Sequence, residues 1–126
     1  MSDVVTRGVR VRVKSVYVEE RSSPPQQFFF AYQVRIANEG DETVQLVSRH
    51  WIITDGDGRQ EHVQGPGVVG EQPVLAPGES FEYTSFCPLR TPIGSMHGTY
   101  QMVLPGGAEF DAEIAPFSLA VPTALN

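Results

Sequence analysis

Apolar and polar residues alternate with a period of two along most of this chain, and that feature constrains its fold more than any other. Such alternation is typical of β-strands that pack one face on a core. No window of eleven residues shows a convincing helical repeat, so the pattern predicts strands rather than helices. The alternating apolar residues are Val9, Val11, Val13, Phe28, Phe30, Tyr32, Val34, Ile36, Phe81, Tyr83, Tyr100, Met102, Leu104, Phe110, Ala112, Ile114, Phe117, Leu119 and Val121.

Turn-forming segments separate these stretches at roughly the 8–12-residue spacing of an antiparallel sandwich. They lie at Arg21–Pro25, Asn38–Asp41, Asp55–Gly58 and Pro105–Gly107. The chain also has 12 glycines and 10 prolines, which suit tight turns and disfavour helices. The sequence therefore predicts an all-β fold, an immunoglobulin- or fibronectin-III-like antiparallel β-sandwich of seven or eight strands. We expect it to form a single domain over residues 1–126.

Three interruptions of the alternation predict irregular strands. The apolar residues after Ser15 fall on the opposite phase to those before it, so we expect a β-bulge there. The segment Cys87–Pro92 contains two prolines and is expected to end a strand. The apolar phase changes again at Pro116, within the last strand.

The charge balance limits the class of partner. The formal net charge is −6, and a general role in binding nucleic acid or an anionic membrane would need positive potential. A local exception is the run of Arg7, Arg10, Arg12 and Lys14, which only Asp3 opposes nearby. We therefore expect neither nucleic acid nor a membrane among the partners.

Cysteine content and hydropathy indicate the compartment. Cys87 is the single cysteine, so no internal disulfide is possible and a reducing compartment is expected. Residues 1–30 lack a secretory signal pattern, and no apolar run approaches the roughly 20 residues of a membrane helix. These observations predict a soluble, cytoplasmic protein, which we expect to be a monomer or a weak homodimer.

The segment Arg49–Gly56, which reads RHWIITDG, resembles the ApaG family. The resemblance covers nearly the whole chain, with matching spacing throughout, and is strongest from Asn38 to Met102. No single piece is rare, but the ordered set is specific. Its further residues are Val63, Gly65–Gly70, Gln72, Pro73, Leu75, Pro77, Gly78, Glu79, Phe81, Tyr83, Ser85, Thr91, Pro92, Gly94, Met96, Gly98 and Tyr100.

This resemblance implies a fibronectin-type-III-like sandwich in a bacterial cytoplasmic protein. It also implies an association with magnesium and cobalt tolerance, and a gene neighbourhood shared with diadenosine-tetraphosphate hydrolysis. Related domains in eukaryotic F-box and DNA-polymerase-interacting proteins resemble protein-binding modules. No catalytic residue follows from the resemblance, while the family's glycine motif maps onto Gly65, Gly67 and Gly70.

The glycine-rich segment Gly65–Gly70 matches the G-x-G-x-x-G pattern of dinucleotide-binding loops. That pattern needs a helix directly after it, and here Pro73 and Pro77 leave no room for one. A nest of N–H groups could still hold a phosphate or pyrophosphate, with Arg59 or Arg90 as the cation, although the proline inside the motif lacks an N–H. The favoured interpretation is that the glycines permit tight turns between strands.

The segment Asp55–Gly58 begins like a calcium-binding EF-hand loop. Such a loop needs an oxygen ligand at its fifth position and an acidic residue at its twelfth. Those positions are Arg59 and Pro66 in this chain. A hairpin turn, for which Asp-Gly is a signal, is therefore expected instead.

Three histidines and one cysteine are the remaining candidate metal ligands. His50, His62, His97 and Cys87 have none of the short spacings of a structural zinc site, and the sequence leaves open whether they cluster in space. We expect surface or capped histidines and neither a metal nor another cofactor. Cys87 with a histidine could form a nucleophilic pair, but its place before Pro88, at the end of an apolar strand, favours a partly buried structural thiol.

The placement of the aromatic residues indicates where a protein partner could bind. Trp51 has apolar neighbours and is expected to pack in the core or on a sheet face. In the run Phe28–Phe30, alternation places Phe29 opposite to its neighbours, so its ring should face outward or lie under a loop. Exposed aromatic residues mark partner surfaces.

No spacing in the chain assembles the base, nucleophile or metal-bound water of an enzyme. The sequence therefore predicts a non-enzymatic binding module that contacts an unidentified protein partner, with Phe29 at the contact. The alternative is a phosphate-ligand or nucleotide-ligand sensor that uses the Gly65–Gly70 loop with Arg59 and Arg90.

Overall fold

The computed structural model of the chain describes residues 1–125, and within them nine strands form two antiparallel sheets. In chain order the strands are β1 (Ser2–Thr6), β2 (Val9–Tyr17), β3 (Phe28–Asn38), β4 (Val44–Asp55), β5 (Gln60–Pro66), β6 (Val74–Leu75), β7 (Ser80–Leu89), β8 (Ile93–Val103) and β9 (Glu109–Ala120). The helical segments in this part of the chain are two short 3-10 turns, Glu19–Arg21 and Pro122–Leu125. Neither has the length and apolar character needed to cross a membrane.

The two sheets pack face to face as a sandwich. The smaller sheet has the order β1-β2-β3-β7, and the larger sheet has the order β5-β4-β8-β9, with β6 paired to the start of β4. The strands β1 and β2 also contact β9 across the sandwich. The predicted antiparallel β-sandwich is thus confirmed. The hairpin strand β1 and the two-residue β6, which the alternation did not reveal, bring the number of strands to nine.

The core lies between the inward faces of the two sheets. Trp51 is 2% exposed, and its ring lies at centroid distances of 5.3, 6.2 and 5.9 Å from Tyr32, Tyr100 and Phe117. The predicted core position of Trp51 is confirmed. Other buried apolar residues of this cluster include Val9, Val11, Val13, Phe30, Val34, Ile36, Leu46, Met96, Met102, Ile114 and Leu119.

Strand β2 has no bulge at Ser15, so that prediction is wrong. Its pairing with β3 is regular along its whole length. The inward phase of Val9–Val13 continues through Ser15 to Tyr17, whose ring packs on Phe30 at 5.5 Å, while Val16 is 62% exposed. A half-buried serine and an exposed valine therefore mimic a change of phase in the sequence.

Strand β7 continues through Cys87 and Pro88 and ends at Leu89, so the predicted end of a strand within the segment Cys87–Pro92 is confirmed. Within its sheet β7 pairs with β3 alone and forms an edge. An edge strand has a neighbour on one side only, which lets it accommodate a residue without an N–H. The predicted phase change at Pro116 is confirmed, because the β8–β9 register shifts by one residue at that point.

Candidate functional site

The glycine-rich loop, residues Gly65–Gly70, leaves the end of β5 and leads toward β6. Gly67 and Gly70 have φ angles of 61° and 82°, in the left-handed region where a residue with a Cβ is strained. A Cβ at Gly67 would also collide with the carbonyl oxygen of Glu71. Two of the three glycines of the motif therefore have the left-handed backbone that a tight turn requires.

The side chain of Arg49 explains why the remaining glycine of the motif, Gly65, has no side chain. Its guanidinium lies over Gly65, where a Cβ would stand 3.2 Å from the Arg49 Nη2. The same guanidinium donates from Nη1 to the carbonyl oxygens of Pro66 and Gly67 at 3.0 and 2.9 Å. Arg49 therefore holds the loop against β4. This role was not anticipated from the sequence, where the signal for it was the position of Arg49 on the same inward phase as Trp51.

Several amides of the glycine-rich loop are already bonded within the chain. The N–H of Gly67 donates to the carbonyl of Val47 at 2.8 Å. Val68 and Glu71 exchange N–H···O bonds at 2.8 and 2.9 Å. An anion nest needs consecutive N–H groups that converge on one point, and these bonds turn three of them toward carbonyls. The geometry thus favours the turn interpretation, and phosphate binding by this loop stays a prediction.

The structure does not bring Arg59 and Arg90 to the glycine-rich loop. Arg59 follows the β4–β5 turn, at least five residue pairs along the hairpin from Gly65, or roughly 17 Å at the usual strand rise. It pairs there with two carboxylates of the turn, at 3.0 and 3.1 Å. Arg59 and Arg90 instead line a separate cleft of about 470 Å³, to which Asp55 and Glu61 also contribute. These carboxylates offset the two cations.

The segment Asp55–Gly58 forms the hairpin turn between β4 and β5. The Oδ1 of Asp55 accepts the N–H groups of Asp57 and Arg59 at 2.9 and 3.0 Å. Its Oδ2 accepts the Arg59 Nε at 3.1 Å. The predicted hairpin turn is confirmed, and its carboxylate serves the turn itself.

The histidines and Cys87 lie on different faces of the molecule. His50, His62 and His97 occupy the outer face of the larger sheet, whereas Cys87 faces the core and is 3% exposed. Burial raises the pKa of the Cys87 thiol to about 12, so at neutral pH it is an un-ionised thiol with little nucleophilic character. Within residues 1–125 no three His, Cys, Asp or Glu side chains form a group that could hold a metal ion.

Phe29 faces outward from the smaller sheet, where its ring stacks on Phe86 at a centroid distance of 5.5 Å and an interplanar angle of 29°. The Arg21 guanidinium covers both rings, with its Cζ 4.4 Å from the Phe29 centroid and 5.1 Å from that of Phe86. Phe86 is 49% exposed and Val16 is 62% exposed. We call Val16, Arg21, Phe29 and Phe86 the aromatic patch. Its second ring, Phe86, lies on the outward phase of β7 and was not anticipated from the sequence.

A row of cations continues the same outer face toward β1. It consists of Arg10, Arg12, Lys14 and Arg35, and we call these residues the basic stripe. The carboxylates that oppose it are Asp3, Glu39 and Glu82, at 2.6, 3.5 and 3.4 Å from their partners. The basic stripe thus carries four cations against three carboxylates, in a chain of net charge −6. A cleft of about 270 Å³ opens beside Arg12, Lys14 and Arg35.

Comparison with known proteins extends these observations. A family model described as the ApaG domain matches residues 18–104. The chain is 60% identical over 126 residues to Protein ApaG of Anaeromyxobacter sp. strain K, with all of both chains covered. It is 57% identical to Protein ApaG of Bordetella pertussis over 92% of this chain and 89% of that protein. The crystal structure of an ApaA protein from Bordetella pertussis superposes with a TM-score of 0.88 at 57% identity, covering 90% of this chain and 94% of that one.

Proposed function

The chain belongs to the ApaG domain family, and we propose that it is a non-enzymatic protein-binding module whose contact surface is the outer face of the smaller sheet. The observation that carries this proposal is the Phe29–Phe86 stack beneath Arg21, with Phe86 left half exposed. Aromatic and arginine side chains dominate the energetic centres of protein interfaces. In the free protein, aromatic and arginine side chains already contact one another in this patch.

The fixed geometry of the aromatic patch lowers the cost of binding. Ordering a long or aromatic side chain at an interface costs about 0.5–1.5 kcal/mol for each immobilised group. Phe29, Phe86 and Arg21 already restrain one another through stacking and cation–π contacts. Their burial by a partner then gains the hydrophobic term, about 25 cal/mol for each Å² of apolar surface removed from water.

The charges around the patch define the chemistry of the partner. The aromatic patch lies at one end of the basic stripe, in which four cations face three carboxylates, while the chain as a whole is acidic. We therefore infer a partner segment that is acidic and contains apolar side chains. Its carboxylates would meet the basic stripe, and its apolar side chains would cover Phe86 and Val16. Such an association is expected to weaken as the salt concentration rises.

A selection of displayed random peptides tests this function and defines the chemistry that the surface prefers. The wild-type protein is the bait, and a Phe86→Ala bait serves for counter-selection. A Thr99→Ala bait is the matched control, because Thr99 lies on the outer face of the other sheet. We expect the enriched peptides to be acidic with interspersed apolar residues. They should bind the wild-type and Thr99→Ala proteins equally well and should not bind the Phe86→Ala protein. Enrichment of peptides that bind the wild-type and Phe86→Ala baits equally would contradict the proposal.

The family association with magnesium and cobalt tolerance is compatible with this function, because a binding module acts through the protein that it binds. The phosphate alternative predicted from the glycine motif has less support, since the loop amides of Gly67, Val68 and Glu71 donate to carbonyls and Arg49 does the same. We propose no catalytic residue and no cofactor for the protein-binding role.

A further inference from the structure

We propose that His50 and His62 form a two-imidazole site for a transition-metal ion such as Zn²⁺ or Ni²⁺ on the outer face of the larger sheet. The Nε2 of His50 and the Nδ1 of His62 face each other at 2.9 Å. Their ring centroids are 5.1 Å apart. This site is far from the aromatic patch, on the opposite side of the sandwich, and it plays no part in the function proposed above.

The register of the β4–β5 hairpin creates this pair. His50 is paired with Gln64, and His62 is paired with Ile52. Residues that face each other across an antiparallel ladder project to the same side of the sheet. Because Trp51 points into the core, its neighbours His50 and Ile52 point outward, and their partners do likewise. The two histidines are thus diagonal neighbours, a relation that their separation in the sequence concealed.

The spacing of the two nitrogens suits shared coordination of one ion. Imidazole nitrogens bind Zn²⁺ at about 2.0–2.1 Å, so two of them on one ion lie roughly 2.9–3.4 Å apart at ligand angles of about 90–110°. The observed 2.9 Å falls within that range. In the free protein one of the two nitrogens carries the bridging proton. When the ion binds, that proton moves to the other nitrogen of the same ring, and both nitrogens then offer a lone pair.

Gln64 is placed to complete one side of the site. Its amide tip lies 3.3 Å from the His50 Nε2, and a rotation of the amide presents its oxygen there. Solvent supplies the remaining ligands, because His62 and Gln64 are exposed. Two imidazoles favour Zn²⁺, Ni²⁺ and Cu²⁺ over Mg²⁺, which prefers carboxylate and water oxygens. Since no third His, Cys, Asp or Glu joins the pair within residues 1–125, the site is open and its affinity moderate.

His97 provides a matched control on the same face. Ile52 is paired with His62 on one side and with His97 on the other. His62 and His97 are thus two strand spacings apart, roughly 9.5 Å between their backbones, and among residues 1–125 the structure shows a hydrogen bond or ring contact of His50 with His62 but none with His97. His97 has the same chemistry and the same sheet face, but not the contact.

Titration of the wild-type protein with ZnCl₂, followed by ¹⁵N shifts of the imidazoles and by thermal unfolding, tests the site. We expect saturable shifts at His50 and His62 below about 1 mM Zn²⁺, and a rise in Tm that EDTA reverses, since an ion that binds the folded state stabilises it. Loss of a residue that only hydrogen-bonds to a metal-bound histidine already lowers the affinity for the metal roughly 10- to 100-fold, and loss of the ligand itself should cost at least as much. We therefore expect His50→Gln and His62→Gln each to weaken binding at least about tenfold, and His97→Gln to leave it within about twofold.

Three outcomes would overturn this assignment. One is the absence of saturable Zn²⁺ binding up to about 1 mM, and another is equal competition by Mg²⁺ at the same concentration. The third is undiminished binding by both His50→Gln and His62→Gln. A comparison of the metal-free Tm of each variant with that of the wild type separates loss of a ligand from loss of the fold, because glutamine keeps a polar side chain of similar length at these outward positions.

Discussion

The glycine-rich loop and the run Phe28–Phe30 are both conspicuous in the sequence, yet the structure uses the loop and the aromatic patch that contains Phe29 in opposite ways. In the loop, amides and carbonyls bond to the chain itself, and left-handed backbone at Gly67 and Gly70 accounts for the glycines. In the patch, large apolar groups are held in place but stay half exposed. A motif that satisfies its own groups serves the fold, whereas a fixed but uncovered surface remains available for a partner.

Arg49 and Arg21 show the same difference between a group that stabilises the fold and a group that is available to a partner. Arg49 is half-buried and donates to two backbone carbonyls of the loop. Arg21 lies over the half-buried ring of Phe29 and the exposed ring of Phe86, and within residues 1–125 neither guanidinium forms an ion pair with a carboxylate. Arg49 therefore contributes to stability through two hydrogen bonds, which a ligand of its guanidinium would have to break. Arg21 keeps its hydrogen-bonding groups for solvent or for a partner.

Substitution of Gly67 by alanine should have the largest effect on stability. A Cβ at φ 61° is strained and would collide with the Glu71 carbonyl, so we expect a loss of about 2–4 kcal/mol in the free energy of unfolding. Gly70→Ala is the matched control, because its φ is 82° but, within residues 1–125, no atom beyond its two chain neighbours lies within 4 Å of the new Cβ. It should cost only about 1–2 kcal/mol. Urea unfolding measures both, and equal losses would show that the collision has been relieved by movement of the loop.

Replacement of Arg49 by methionine should have the next largest effect. It removes two charged hydrogen bonds to Pro66 and Gly67, for which we expect a loss of about 1.5–3 kcal/mol and faster amide exchange at Gly67 and Val68. Arg59→Met removes an arginine that is 60% exposed in its side chain and should cost about 1 kcal/mol or less. Equal stability of the two variants, with unchanged exchange in the loop, would refute the role of Arg49 as the clamp of the loop.

Alanine at Phe86 should have the smallest effect on stability. The ring is 49% exposed, and its loss removes a stacking contact of about 0.5–1.5 kcal/mol. We expect a correspondingly small change in Tm for Phe86→Ala, and a similar one for Phe29→Ala, together with loss of peptide binding. A fall in Tm as large as that of Gly67→Ala would place these rings in the structural core, and the contrast between the two regions would fail.

The period-two pattern predicted the sandwich because successive side chains of a strand point to opposite faces of its sheet. A sheet with one face on the core therefore has an apolar residue at every second position. The pattern misled where one position departed from that rule, as at the exposed Val16 beside the inward Ser15. The pattern also did not show that β7 continues through Pro88 before it ends at Leu89, since the edge position of β7 depends on the order of strands and not on the local sequence.

The candidate site was harder to predict than the fold. Alternation placed Phe29 on an outer face, but its contact with Phe86 depends on the β3–β7 register, in which Phe29 is paired with Pro88 and Ala31 with Phe86. The His50–His62 contact depends in the same way on the length of the β4–β5 turn. Arg59 and Arg90 were grouped with the glycines by charge alone, and no local pattern reports the distance that separates them from the loop.

The central claim, that this protein binds through the aromatic patch and not through the glycine-rich loop, is tested most directly by amide shift mapping. A ¹⁵N-labelled wild-type sample is titrated with pyrophosphate and then, in a second aliquot, with an acidic peptide from the display selection. We expect the peptide to shift the amides of residues 29–35 and 82–88, and pyrophosphate to leave residues 65–71 unchanged at low millimolar concentration. Pyrophosphate shifts confined to residues 65–71, with peptide shifts absent from β3 and β7, would contradict the claim.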